Sequence, residues 1–294
     1  MTEQTTIAVL GMGAMGARMA HKLLDAGHRL VVYNRSPQRC APLVERGAVL
    51  AKTPAQAAAQ AQILLSVVTD DDASRQIWTD PDQGALRHVQ SGALLIESST
   101  LTRGWVEALA AQAADRGLDF LDAPVAGSRP QAEAGALIHL VGGHPDAVAR
   151  GRCVLQTLGQ AIHHVGPAGA STSMKLAVNA LFGIQVAALA ETLGALSQHG
   201  INPQAATEVL GQMPITSPAL VGIGRLMAAS TFAPLFPIDL VEKDFRCALT
   251  HAAAVQAPTP ITAAAQQAYA RAQHQGLGQL NIHAILKAYH PGDR

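Results

Sequence analysis

The segment Gly11-Met12-Gly13-Ala14-Met15-Gly16 follows the apolar run Ile7 to Leu10 and opens an alanine-containing helical stretch. Three glycines at that spacing, between a strand and a helix, leave few architectures open. Gly11 permits the tight turn, Gly13 lets a ligand approach the backbone, and Gly16 lets the helix pack closely on the strand. A helix starting there aims its unsatisfied N–H groups and the positive end of its dipole at whatever lies over the turn. All six residues are therefore candidates for the cradle of a dinucleotide pyrophosphate. A glycine turn with no ligand is the alternative for the motif alone, and the flanking strand and helix are what give it specificity.

The rest of the first half repeats the same alternation. Ile63 to Val68, Leu30 to Tyr33, Ala93 to Ile96 and Leu137 to Val141 read as strands, with a further short one at Phe120-Leu121. Ala14 to Ala26, Pro37 to Arg46, Asp72 to Trp78 and Arg103 to Arg116 read as helices between them. That order predicts a parallel, doubly wound sheet of the Rossmann type over residues 1–165. Past Gly166 to Gly169 strand-like runs nearly vanish, which predicts an all-α second domain over residues 166–294 for substrate binding and oligomerisation. Asn202-Pro203 has the form of a helix start, and Asn281 is expected to cap the last helix.

Composition narrows the function classes. The 294 residues carry 21 Lys plus Arg against 21 Asp plus Glu, a balance that argues against nucleic acid as a partner. Hydrophobic residues reach 49%, and the apolar stretch Leu176 to Leu196 has the length of a membrane span. Its Asn179, Gln185 and Glu191 favour a buried helix between domains, so no membrane partner is expected. Cys40, Cys153 and Cys247 show no paired or zinc-like spacing, and the polar start Met1 to Thr6 lacks a basic export region. Both point to a cytoplasmic setting.

The end of the second strand selects the dinucleotide. An acid there would serve the ribose of NAD, whereas this chain has Asn34-Arg35-Ser36. Arg35 can pair with a 2′-phosphate, with Asn34 and Ser36 as further donors, so NADP(H) is expected over NAD. The alternative for Arg35 is a solvated loop residue. Val68, at the end of its strand, belongs to the same cofactor-binding set.

Lys175 and Asn179 stand four apart at the start of the long apolar helix and so share a face. An ammonium there can protonate a carbonyl oxygen as hydride arrives. On spacing alone a lysine snorkelling at a helix end is an equal reading.

Together, Asp122-Ala123-Pro124-Val125-Ala126-Gly127-Ser128, Met174-Lys175-Leu176 with Asn179, and Phe236 with Lys243-Asp244-Phe245 resemble the β-hydroxyacid dehydrogenase family. The resemblance, which extends to 3-hydroxyisobutyrate dehydrogenases, glyoxylate or succinic semialdehyde reductases and the related 6-phosphogluconate dehydrogenases, covers nearly the whole chain in order. It implies Lys175 as general acid, Asn179 as a substrate-holding residue, and Ser99-Thr100 and Lys243 beside the cofactor. It further implies Ala126, Gly127, Ser128, Phe236 and Asp244 around the substrate, a small hydroxy acid or aldehyde acid. The active site is expected in the interdomain cleft, and extensive apolar helices predict a homodimer or homotetramer.

One departure stands out. Where the family commonly has serine this chain has Ala126, which removes a hydroxyl donor to the substrate carboxylate; the amides of Gly127 and Ser128, with Ser128 or Arg129 side chains, are expected to compensate. Asn281 and His283 likewise stand where the family often has Asp and Ser. Asp70-Asp71-Asp72 reads better as a helix cap than as a cation site, and His163-His164 lack a third ligand, so no metal is expected. Rival functions are an NADPH-dependent imine reductase and a catalytically silent NADP-binding protein.

Overall fold

A computed structural model describes residues 5–289; the polar start Met1 to Gln4, read above as lacking an export signal, lies outside the described residues. The chain divides into two compact units, residues 1–175 and 176–294. This division falls later than the glycine-rich stretch at which the sequence changes character.

The first unit follows the order β1 (Thr6–Leu10), α1 (Gly16–Asp25), β2 (Arg29–Tyr33), α2 (Ala41–Val44), β3 (Val49–Leu50), α3 (Pro54–Ala58) and β4 (Ile63–Ser66). It continues with α4 (Asp71–Thr79), β5 (Leu94–Glu97), α5 (Arg103–Ala114), β6 (Asp119–Asp122), β7 (Val125–Ala126), α6 (Arg129–Ala134), β8 (Leu137–Gly142), α7 (Pro145–Leu158) and β9 (Gly159–Gly166). The sheet order is β3-β2-β1-β4-β5-β6-β8-β7, with β9 added beside β8. From β3 to β6 every pairing is parallel, and the order reverses between β1 and β4, where a doubly wound sheet opens its ligand crevice.

The far edge departs from the all-parallel expectation. β8 runs antiparallel to β6, and β7 pairs antiparallel with β8. The two-residue β7 and the short α6 lie within the stretch Pro124 to Pro130 and just beyond it, which the sequence presents only as turn material. Strands of two residues carry too little period-2 pattern to be read locally.

Alternation along the strands explains the two faces. Ile7 and Val9 are buried in one apolar cluster with Met19 and Leu23 of α1, while Ala8 and Leu10 join the opposite cluster with Trp78 and Trp105. Successive strand residues point to opposite faces, so a strand covered on both sides must be apolar throughout. Pro37 to Arg46, expected as one helix, is a 3₁₀ turn at Pro37–Cys40 followed by α2.

The long helix α8 (Ala170–Gln198) begins in the first unit and continues in the second. The second unit adds α9 (Pro203–Gly211), α10 (Pro218–Ala228), α11 (Ile238–Ala254) and α12 (Pro260–Ala272), closing with a 3₁₀ segment at Ile282–Tyr289. By length and composition α8 could cross a membrane. Its Val186, Ala190 and Leu193 are buried in the core of the second unit with Phe245 and Tyr269. Gly183 makes that packing possible: a Cβ there would stand 2.6 Å from the Phe245 ring. The Tyr269 hydroxyl donates to the Gly183 carbonyl at 3.0 Å. Asn202 caps α9, its side-chain oxygen accepting from the amides of Gln204 and Ala205.

Candidate functional site

The glycine turn has the shape its spacing predicts. Gly11 takes φ +108°, and a Cβ on it would meet the Val67 carbonyl at 2.3 Å; a Cβ on Gly16 would stand 1.9 Å from the Gly11 carbonyl. Gly13 has nothing within 4 Å of a notional Cβ, an open approach of the kind a pyrophosphate needs. Met12 is buried, Met15 is partly so, and Ala14 is exposed. The residues present therefore fit a dinucleotide.

Asn34 links the end of β2 to the glycine turn. Its Oδ1 accepts from the Met12 amide at 3.0 Å and its Nδ2 donates to the Ser36 carbonyl at 2.9 Å. The side chain braces the glycine turn against the end of β2, and one hydrogen of its Nδ2 is not used by these bonds. Arg35 and Ser36 are exposed, and Arg35 has no ion pair among the described residues.

One buried acid holds the ends of β4 and β5. Glu97 Oε2 accepts from the Ser74 hydroxyl and the Trp78 indole, each at 2.8 Å. Its Oε1 accepts from the Ser99 amide at 3.0 Å and the Ser99 hydroxyl at 2.5 Å. The Ser99 hydroxyl in turn accepts from the Val68 amide at 2.7 Å, so the two expected cofactor segments, Val68 and Ser99-Thr100, hang from one carboxylate. Burial raises the Glu97 pKa, and the Ser99, Trp78 and Ser74 donors oppose that shift. Nothing in the sequence marks Glu97, because its partners are up to 23 residues away.

A second buried acid fixes the start of α8. Asp122 Oδ2 accepts from the amides of Gly169 and Thr172 at 2.9 Å, and Oδ1 from the Thr172 hydroxyl at 2.7 Å. Burial raises its pKa while the Ser171, Thr172 and Gly169 donors lower it. A carboxylate at that point satisfies N–H groups that open the helix, as a cap does, but from 47 to 50 residues away. Lys175 follows one turn on and is 8% exposed.

Within the helical unit, Asn179 and Asp244 are both buried, and Asn179 Nδ2 donates to Asp244 Oδ2 at 2.6 Å. Lys243 Nζ pairs with Asp244 Oδ1 at 3.0 Å. The structure thus brings these three together. One Asp244 oxygen faces each of the other two side chains, so it orients Asn179 and Lys243 from a buried position.

Phe236 is partly buried, and its amide donates to Asn281 Oδ1 at 2.7 Å. Asn281 also accepts from the Leu235 amide, and its Nδ2 meets His283 Nδ1 at 2.9 Å. The expected helix cap is instead a clamp on the 235–236 segment. His283 Nε2 bonds the Thr231 carbonyl at 2.7 Å.

The turn after β6 corrects a further expectation. Gly127 has φ +119°, but the Ser128 amide donates to Gln131 Oε1 at 2.9 Å in a capping box that starts α6. That amide is not available to a carboxylate. Asp70 caps α4 by accepting from the Ala73 amide, as the aspartate run suggests, while Asp71 accepts from Thr102. His164 bonds the Gly143 and Gly166 carbonyls. Among the described residues no cluster of three metal-ligating side chains occurs.

Residues 6–166 match the family model described as the NAD binding domain of 6-phosphogluconate dehydrogenase, and residues 169–289 match that described as the NAD-binding of NADP-dependent 3-hydroxyisobutyrate dehydrogenase. The chain is 36% identical to a 3-hydroxyisobutyrate dehydrogenase of Pseudomonas aeruginosa, over 96% of this chain and 99% of that one. It is 32% identical to the chloroplastic glyoxylate/succinic semialdehyde reductase 2 of Arabidopsis thaliana, over 96% and 79%. The solved Mycobacterium tuberculosis 3-hydroxyisobutyrate dehydrogenase with L-serine superposes with a TM-score of 0.89 at 28% identity, covering 97% of this chain and 99% of that one.

Proposed function

The chain belongs to the β-hydroxyacid dehydrogenase family of NAD(P)-dependent oxidoreductases acting on CH–OH groups, and on that premise we propose that it interconverts a small β-hydroxy acid and its semialdehyde with NADP(H). The dinucleotide, when bound, carries the hydride; the glycine turn and the segments at Val68 and Thr100 would hold it. Lys175 gives a proton to the carbonyl oxygen in reduction and takes it back in oxidation. Lys243 is proposed to lie beside the cofactor and Phe236 to wall the substrate.

The observation that carries this reading is the double bracing of one helix face. Asp122 anchors α8 one turn before Lys175, and Asp244 orients Asn179 one turn after it. A proton donor works when its geometry is held before the substrate arrives. For NADP over NAD the support is Arg35, exposed and without an ion pair among the described residues, where a ribose-binding acid would stand in an NAD enzyme.

Replacing Lys175 by alanine should lower turnover by about 10² to 10⁴-fold while leaving the dinucleotide Kd unchanged, since general acid catalysis is lost and binding is not. Near-normal turnover would remove Lys175 from the mechanism. Arg35→Asp should weaken NADPH binding and leave NADH binding similar or better, because repulsion replaces attraction at the 2′-phosphate. Equal use of NADH by the unmodified protein would overturn the NADP reading.

The imine-reductase and silent-binder readings separate on a panel of small aldehydes, keto acids and imines with NADPH; Lys175 with Asn179 favours carbonyl reduction. Self-association belongs to the same proposal. Met174, Val178 and Leu181 recur on one face of α8 and are exposed, Leu181 at 60%, which suits burial against a second copy. A cytoplasmic setting is proposed because Cys40, Cys153 and Cys247 form no disulfide with one another.

A further inference from the structure

Ala126 removes a donor from the turn at 126–128, and the capping box takes a second one, the Ser128 amide. The next residue supplies what the turn lacks. Arg129 opens α6 and is partly buried, and its Nε is buried without a hydrogen-bond partner. No hydrogen bond or ion pair of Arg129 occurs among the described residues. Its natural helical partner, Glu133 at i+4, is turned away: Glu133 Oε1 bonds Arg18 Nε of α1 at 2.6 Å instead. Buried donors in folded chains are normally satisfied, so a guanidinium left in this state implies an acceptor from outside the chain.

The contacts between α1 and α6 locate that acceptor. Arg18 meets Glu133, and Lys22, one turn further along α1, comes beside Gly135 at the end of α6. The two helices therefore run in the same sense. At about 1.5 Å rise per residue, Arg129 lies roughly one turn back from Glu133, toward the glycine turn that opens α1.

We propose that Arg129 is an oxyanion anchor, a guanidinium fork that replaces the missing donors of the 126–128 turn and takes either the substrate carboxylate or a phosphate oxygen of the dinucleotide. The substrate arm of this proposal rests on the proposed function above; the anion arm does not. A planar fork binds either oxyanion with two parallel charge-assisted hydrogen bonds, which a lysine at the same place cannot reproduce.

The test uses Arg129→Ala and Arg129→Lys in the full chain, with urea unfolding to verify that the fold is retained. Kd is measured by calorimetry for NADPH, and for succinate with the protein saturated in NADP⁺; KM is measured for succinic semialdehyde and for uncharged butanal. A substrate anchor predicts that Arg129→Ala weakens succinate and raises the succinic semialdehyde KM by roughly 10- to 100-fold, the loss of hydrogen bonds to a charged group, with butanal and NADPH unchanged. A phosphate anchor predicts the same loss in NADPH Kd instead. Arg129→Lys should recover only part of either loss. Unchanged succinate and NADPH affinities in Arg129→Ala would overturn the proposal. Should the unmodified protein reduce neither aldehyde, the proposed function fails, and the two titrations still decide the role of Arg129.

Discussion

Two buried acids, one in each unit, are built on opposite plans. Glu97 receives four hydrogen bonds, all from neutral donors, and two of them come from the backbone and side chain of Ser99. Asp244 shares its oxygens between the Asn179 amide and the Lys243 ammonium. An acid surrounded by donors alone ties chain segments together, because removing an acceptor strands several buried groups at once. An acid shared between two polar side chains orients them, and α11 does not depend on it for its own backbone hydrogen bonds. The first unit thus uses its buried charge as framework and the second uses it as an adjuster of Asn179 and Lys243.

Exchanging each acid for its amide is the direct way to break that comparison. Glu97→Gln places an NH₂ group among donors and should cost about 3 kcal/mol of stability, the penalty of leaving two or more buried donors unsatisfied. Urea unfolding measures it, and a loss below about 1 kcal/mol would deny Glu97 its framework role.

Acid should expose a second weakness of the first unit. His139 of β8 is fully buried, and burial pushes its pKa down to about 4, with the Leu155 backbone opposing. Its unfolded form takes a proton near 6.5 while the folded form resists, so stability is present above that value and is lost as pH falls toward 4. Between pH 7 and pH 5 the loss from this residue should be about 2 kcal/mol. His283 in the second unit is lowered too, mainly by burial, but its bond to the Thr231 carbonyl opposes the shift and its share should be smaller. His139→Gln should flatten the pH dependence of urea unfolding; an unchanged slope would assign the acid weakness elsewhere.

The smallest stability effect is expected at the adjuster. Asp244→Asn keeps an oxygen for Asn179 and leaves Lys243, at 15% side-chain exposure, a path to water. Its cost should be about 1 kcal/mol, while turnover falls roughly tenfold through misorientation of Asn179. If stability fell as far as in Glu97→Gln with turnover preserved, the two acids would be doing the same work.

Local signals were legible where a residue and its consequence are neighbours. Gly11, Gly13 and Gly16 shape a turn within six residues, Asp70 caps the helix it precedes, and Asn202 caps α9. Misreadings fall where a local role and a distant partner compete. Asn281 has the chemistry of a cap, yet it clamps Leu235 and Phe236 some 45 residues back. Ser128 resembles a carboxylate grip, and its amide is consumed three residues on by Gln131.

The sequence by itself determined the family, the doubly wound parallel core, the helical second half and the placing of Lys175 and Asn179 one turn apart on one helix, because periodicity and motif spacing are short-range properties of the chain. Only the tertiary structure decided the antiparallel far edge of the sheet, the bracing of β4 and β5 by Glu97, the tether of α8 to Asp122 and the unpartnered guanidinium of Arg129. Each of these depends on which buried donors find acceptors. A side chain's hydrogen-bonding capacity can be read from its type, but its partner is settled by packing that brings together residues tens of positions apart.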